Sequence, residues 1–87
     1  MEITEIRSRV IDIMTGIMPT WNKCEIKDTD SLREDIGMES IDFLDIIMQT
    51  EIMFDIKIEP EEAAKAKTVA DFISLVESKI KQLWHKR

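Results

Sequence analysis

Few side chains in this sequence have the types and spacing that metal binding requires. With one histidine, His85, and one cysteine, Cys24, the chain cannot form a tetrahedral zinc site without extensive use of carboxylates. Segment 28–33 begins like a calcium loop, but leucine and arginine occupy its fifth and sixth positions, where an oxygen ligand and glycine are required. No metal site is therefore expected. The single cysteine excludes an internal disulfide and indicates a reducing compartment.

Ser40 is the side chain whose sequence context bears most directly on chemistry. It lies in segment 37–41, Gly-Met-Glu-Ser-Ile, which lacks the second glycine of a nucleophile elbow. No glycine-rich phosphate loop and no plausible general base accompany it, so we do not expect an enzyme. A serine at the start of a helix is most often a helix cap. The residue types alone therefore favour a cap at Ser40 over a reactive site.

Length, composition and charge limit the classes of protein to which the chain can belong. Its 87 residues allow one domain, 1–87, and 44% hydrophobic with 34% charged residues is a globular balance. The formal net charge is −6, and segment 28–62 contains twelve acids against two bases, Arg33 and Lys57. Such a segment repels nucleic acid and anionic membranes and attracts basic protein surfaces. Because no apolar run approaches a membrane span of roughly 20 residues and no secretory signal is evident, we expect cytoplasmic localisation.

Hydrophobic periodicity predicts helices and no strands. The fold class expected is all-α, a four-helix bundle of three longer helices and one short helix, at about residues 2–15, 41–55, 60–65 and 68–83. Gly16 is expected to end the first helix, and Thr68 with Asp71 to form a capping box at the last. The long loop between the first two long helices is expected to be held to the core by Leu32 and Ile36.

The middle helix has two apolar faces. At about 100° per residue, one face collects the residues expected in the core, which are Phe43, Ile46, Ile47, Thr50, Met53 and Phe54. The opposite face collects Ile41, Leu44, Met48 and Ile52, with acidic residues among them and at the borders. A fully buried central helix would explain both faces, but it would desolvate four carboxylates without partners. We therefore favour a docking surface that fits a basic groove with an apolar centre.

Segment 30–42, Asp-Ser-Leu-Arg-Glu-Asp-Ile-Gly-Met-Glu-Ser-Ile-Asp, resembles the prosthetic-group attachment region of acyl carrier proteins. The family's Asp-Ser-Leu motif, with a glycine two residues before its aspartate, corresponds here to Glu39-Ser40-Ile41 with Gly37. The first helix agrees with the family only in position and pattern. Further similar segments are 54–58, 61–63 and 68–69, so that the resemblance covers about residues 28–80.

The resemblance implies that Ser40 accepts phosphopantetheine from coenzyme A, through a phosphodiester made by a separate phosphopantetheinyl transferase. The terminal thiol of that arm, and not Cys24, then carries an acyl group as a thioester. The implied role is that of an acyl carrier protein, which presents acyl groups to acyl-transferring and condensing enzymes of fatty-acid, polyketide or related lipid biosynthesis. We expect a monomer whose partners have basic docking surfaces, with no binding to nucleic acid or membrane.

The resemblance also makes the middle helix the recognition helix, which agrees with its exposed apolar face. The partner contacts predicted in this way are Glu39, Ile41, Asp42, Leu44, Asp45, Met48, Glu51 and Ile52. Two of these residues depart from the family pattern. Glu39 replaces the usual aspartate, which keeps the charge and adds a methylene, and Ile52 stands where acidic residues are common in fatty-acid carriers. Together with Trp21 in the long loop, Ile52 hints at a specialised carrier rather than the housekeeping one.

The acyl chain is expected to enter between the helices of the bundle. The residues expected to line this channel are Ile46, Thr50, Phe54, Ile58, Val69, Phe72 and Val76. Thr50 is the polar member, and its hydroxyl is expected to donate back to the carbonyl of Ile46. Because a bundle of this size has little spare stability, we expect a compressible channel rather than a permanent large cavity.

Two alternatives remain open at this stage. A peptidyl or aminoacyl carrier would use the same attachment serine, although the strong negative charge disfavours it. A helical adaptor that binds one partner helix would need no modification at all.

Overall fold

A computed structural model describes residues 2–19, 21–22 and 25–85, without the side chains of Trp84 and His85. The chain forms four helices, which are α1 (Ile3–Ile17), α2 (Ser40–Phe54), α3 (Pro60–Ala64) and α4 (Val69–His85). The described residues contain no strand, only an isolated bridge between Ser31 and Thr68. The predicted all-α architecture of three longer helices and one short helix is confirmed. Cys24, from which a reducing compartment was predicted, lies outside the described residues.

The prediction that α1 ends at Gly16 is wrong. The helix continues to Ile17, and the N–H of Met18 still donates to the carbonyl of Met14 at 2.8 Å. Gly16 does not take the left-handed conformation that makes glycine a helix terminator. The helix ends just before Pro19 instead, because a proline disfavours helical geometry at the residue that precedes it.

The core lies between α1, α2 and α4. Val10, Ile46, Phe72 and Val76 are each 0% exposed, and burying a side chain of this size contributes about 1.5–3 kcal/mol. The rings of Phe43 and Phe72 meet edge to face with their centroids 5.5 Å apart, which joins α2 to α4. The strip of apolar residues on the inner side of each helix therefore accounts for the bundle.

The loop before α2 is fastened to the start of α4 by backbone hydrogen bonds. The N–H of Leu32 donates to the carbonyl of Lys67 at 2.9 Å, and the N–H of Val69 donates to the carbonyl of Asp30 at 3.0 Å. Leu32 and Ile36 are buried, as the sequence predicted. These contacts hold the segment that leads to Ser40 in one position relative to α4.

Two capping boxes place α3 and α4. Glu59 and Glu62 cap α3, with Pro60 at its first position, and Lys79 of α4 donates to Glu62 Oε2 at 2.7 Å. Hydrogen bonds from the Lys79 ammonium and from the Glu59 N–H hold the pKa of Glu62 below its ordinary value of 4.5. The predicted box at Thr68 and Asp71 is present in both directions, each at 3.1 Å.

None of the helices in the described ranges is both long and apolar enough to cross a membrane.

Candidate functional site

The start of α2 leaves the hydroxyl of Ser40 free. Glu39, not Ser40, is the N-cap, and it forms a capping box with Asp42 in which the Glu39 N–H donates to Asp42 Oδ2 at 3.1 Å. Ser40 is the first helical residue, it is exposed, and its hydroxyl makes no hydrogen bond with any other described residue. The serine cap favoured by residue type alone is therefore absent from this helix start.

Gly37 sets the direction in which the chain enters α2. Its φ of +76° lies in the left-handed region, where a Cβ would strain the backbone. The N–H of Met38 then donates to the carbonyl of Leu32 at 2.9 Å, and Glu39 is extended. The sequence Gly-Met-Glu-Ser thus turns the loop outward and presents Ser40 at the helix start.

The backbone at the start of α2 can stabilise a phosphate attached at Ser40, although the nearby Glu39 and Asp42 carboxylates repel it. The first turn of a helix has backbone N–H groups without carbonyl partners inside the helix, and the helix dipole adds partial positive charge there. These groups stabilise an anion that is covalently held at the first helical position. Ser40 thus combines an exposed oxygen with a site that tolerates the charge of a phosphodiester.

Beside Ser40 lies a groove of about 630 Å³ between α2, α3 and the preceding loop. Ser40 and Glu39 form part of its wall. Its apolar lining includes Phe43, Leu44, Ile47, Ala63, Ala64 and Ala66. Sequence reasoning did not predict this groove, because its walls come from three segments that only the folded chain brings together.

The outward face of α2 is apolar, as predicted. Ile41 is 72% exposed, Leu44 and Met48 are each 60% exposed, and Ile52 is 80% exposed. The placement of Met53 in the core is wrong, because its side chain is 46% exposed at the edge of the inner face. The exposed strip therefore consists of the four expected residues and extends to Met53 near the end of α2.

The four predicted partner-binding acids are not equivalent in the structure. Glu39 and Asp42 form the capping box, and Glu51 Oε2 accepts the N–H of Ile58 at 2.9 Å. Asp45 is exposed and makes no hydrogen bond or ion pair with another described residue. Three of the acids therefore support the chain itself, and Asp45 is the one whose carboxylate is free for an intermolecular contact.

The predicted acyl-channel residues all lie in the core. The set Ile46, Thr50, Phe54, Ile58, Val69, Phe72 and Val76 is at most 8% exposed. The hydroxyl of Thr50 donates to the carbonyl of Ile46 at 2.7 Å, as predicted. None of these residues lines the groove beside Ser40. The predicted channel residues therefore do not line the groove, although Phe43 of the groove packs against Phe72 of the core.

Comparison with known proteins identifies the family to which the chain belongs. The family model described as "Phosphopantetheine attachment site" matches residues 8–76. An acyl carrier protein of Chlorobium luteolum is 37% identical over 79 residues, which cover 91% of this chain and 100% of that protein. One from Chloroherpeton thalassium is 35% identical over 81 residues, covering 93% and 100%. The crystal structure of an acyl carrier protein from Thermotoga maritima has a TM-score of 0.81 at 28% identity and covers 95% of each chain.

Taken with the helical fold and the free serine, these matches define a carrier domain with a covalently attached phosphopantetheine group. The chain belongs to the acyl carrier protein family.

Proposed function

We propose that this protein carries acyl groups as thioesters on a phosphopantetheine arm attached at Ser40. The observation that carries the proposal is the exposed hydroxyl of Ser40 at the first position of α2, free of the capping hydrogen bonds that Glu39 and Asp42 form instead. The attached arm supplies a terminal thiol for the thioester. The protein's own residues supply the attachment oxygen, the helix start that tolerates the phosphate, and the surface on which partners dock.

Attachment requires a partner that brings the catalytic groups. The Ser40 oxygen forms a bond to the phosphorus that bears the pantetheine, the pyrophosphate bond of coenzyme A breaks, and the adenosine bisphosphate leaves. The proton of the hydroxyl goes to a base of the transferase, because no described residue accepts a hydrogen bond from Ser40. We accordingly propose that the protein has no catalytic activity of its own. From the sequence we also propose that it acts in the cytoplasm and as a monomer.

Ser40→Ala should abolish the gain of one phosphopantetheine when the protein is incubated with coenzyme A and a broad-range phosphopantetheinyl transferase. Intact-mass measurement reads the result directly. Ser31→Ala is the matched control, because Ser31 lines the same groove. The Ser31→Ala protein should still gain one phosphopantetheine in full, at Ser40. A modified Ser40→Ala protein would place the attachment elsewhere, and a wild-type protein without any gain would support an unmodified adaptor.

Docking is proposed to occur on the outward face of α2. Four large apolar side chains there are at least 60% exposed, which is an unusual composition for the solvent-facing side of a helix. The chain is strongly acidic around this face, so the partners proposed are enzymes whose docking surface has an apolar centre and basic residues around it. The partner contacts proposed are those predicted from the sequence, with Asp45 as the acid that contacts a partner cation directly.

Asp45→Lys should slow association with the transferase at low salt by at least about threefold, because a favourable charge becomes a repulsive one. Helical content should not change, since Asp45 supports no internal contact. Asp42→Lys would be a poorer test, because it also removes the capping box. Stopped-flow mixing measures the rate.

Glu2→Lys is the control for this experiment, because it changes the net charge equally at an exposed residue before α1. The difference in association rate between the two variants should disappear near 1 M salt, where the Debye screening length falls to about 3 Å. Equal slowing by both variants would show that only net charge matters and would contradict docking at Asp45.

The acyl chain is proposed to enter the core beside Thr50. The channel-lining residues form one continuous cluster of fully or nearly fully buried side chains that extends from α2 to α4. Thr50 is the one buried polar residue of the described core, and its hydroxyl is satisfied within its own helix. An acyl chain in this cluster would meet apolar surface and no unpaired polar group.

Acylation should raise the melting temperature of the arm-bearing protein, because each buried CH₂ contributes about 0.8 kcal/mol. For a domain of this size, each 1 kcal/mol of net gain raises the melting temperature by about 4–8 °C. Thr50→Phe should fill the channel and remove the increase, whereas Thr50→Val should keep it. Calorimetry on the acylated and unacylated proteins gives the measurement.

Overpacking costs about 1–3 kcal/mol, so Thr50→Phe could fail to fold, and Val69→Ile then serves as the smaller filling substitution. It should reduce the increase without abolishing attachment at Ser40. Equal melting temperatures for acylated and unacylated wild-type protein would show that the acyl chain stays outside the core.

A further inference from the structure

Two cationic side chains lie at the groove beside Ser40. Arg33 and Lys67 are both exposed, and both belong to the groove lining. Arg33 is one of only two bases in the acidic segment 28–62. Neither side chain forms an ion pair with another residue in the described part of the chain. Their charges are therefore available to an anion in the groove.

The backbone holds these two residues close to each other. Arg33 follows Leu32, whose N–H donates to the carbonyl of Lys67 at 2.9 Å, and the adjacent bridge joins Ser31 to Thr68. The carbonyl of Leu32 in turn accepts the N–H of Met38 at 2.9 Å, two residues before Ser40. One short network of backbone hydrogen bonds thus holds the backbone at Arg33 and Lys67 in place relative to the start of α2.

Among the described residues, the other charged groups at the groove form no ion pair with Arg33 or Lys67. Glu39 is engaged in the capping box, and Glu34 makes no ion pair with Arg33. Asp71 accepts the backbone N–H of Lys67 at 3.0 Å, and the charge of Lys67 contributes, after the hydrogen bonds of Asp71, to the lowered pKa of that carboxyl. Two cations therefore remain beside a serine whose surroundings are otherwise acidic.

We propose that Arg33 and Lys67 bind the phosphodiester of the arm and hold the arm along the groove. The inference rests on the proposed attachment at Ser40. A phosphodiester carries a fixed negative charge, and arginine and lysine are the side chains that bind phosphate most strongly. The carboxylates of Glu39 and Asp42 repel this charge, and cations close by would offset that repulsion. The apolar lining from Phe43 and Ala63 then contacts the arm's carbon chain. Arg33 and Lys67 are positioning residues for the arm, and they take no part in forming the phosphodiester.

Phosphorus NMR on the intact arm-bearing protein tests the proposal. The phosphodiester resonance of the folded wild-type protein should differ from that of the same arm-bearing protein unfolded in urea, where the arm is still a serine phosphodiester but the groove is absent. In the folded double variant Arg33→Gln, Lys67→Gln it should move towards the position in the unfolded protein, and each single variant should give part of that shift. Raising the salt concentration should move the wild-type resonance in the same direction, because the cations are exposed.

Lys57→Gln is the matched control, since Lys57 is the other base of the acidic segment and does not line the groove. It should leave the resonance unchanged. Intact mass first establishes that the arm is present in each sample. A resonance that is the same in the wild-type and double-variant proteins would overturn this inference alone, whereas the absence of any arm on Ser40 would overturn the proposed function with it. The single variants decide the question if the double variant does not fold.

Discussion

The capping box between Glu39 and Asp42 is the interaction on which the site depends. A helix start needs acceptors for its free N–H groups, and a serine at this point commonly supplies one. Here the box begins α2 one residue earlier, so that the hydroxyl of Ser40 has no structural task. The usual aspartate of the family is replaced by glutamate at this position, and the longer side chain still serves as the N-cap. The exposed serine and its place at the positive end of the helix both follow from this arrangement.

The acidic residues of the middle segment have two roles that sequence alone does not separate. Glu39, Asp42 and Glu51 accept backbone N–H groups, at the start of α2 and at Ile58 before α3. They contribute charge to the surface, but their carboxylates are held by the protein's own backbone. Asp45 lacks such a contact. On the proposed docking surface, the apolar strip of α2 would therefore make the main contact, and the acids would supply the field that directs the approach.

The helices and the two apolar faces of α2 could be predicted because the spacing of apolar residues along a helix determines which side of it is buried. Residues at three- and four-residue spacing lie on one side of a helix, and this side packs in the core. The two predictions that are wrong concern places where local sequence signals compete, the end of α1 and the edge of the inner face of α2. Gly16 lies inside α1, which ends at the next residue, two residues before Pro19, and Met53 lies at the edge between the two faces of α2.

The groove beside Ser40 and the hydrogen bond that Glu51 accepts could not be predicted from the spacing of residues. The groove needs the hydrogen bond from Leu32 to Lys67, which joins residues far apart in the chain. The bond from Ile58 to Glu51 exists only because the chain turns back after α2. Both contacts depend on tertiary geometry and leave no periodic pattern in the sequence. The attachment motif, by contrast, is contiguous in the chain, which is why the sequence alone can propose Ser40 as the attachment residue.

The central claim, that Glu39 caps α2 and leaves Ser40 free, is tested most directly by the free energy of unfolding in urea. Loss of a helix cap costs about 0.5–2 kcal/mol, so Glu39→Ala should be destabilised by that amount. Ser40→Ala should stay within about 0.5 kcal/mol of the wild-type protein, since its hydroxyl makes no hydrogen bond with the described residues. A loss in Ser40→Ala as large as that in Glu39→Ala would show that the serine is the cap and would contradict this account.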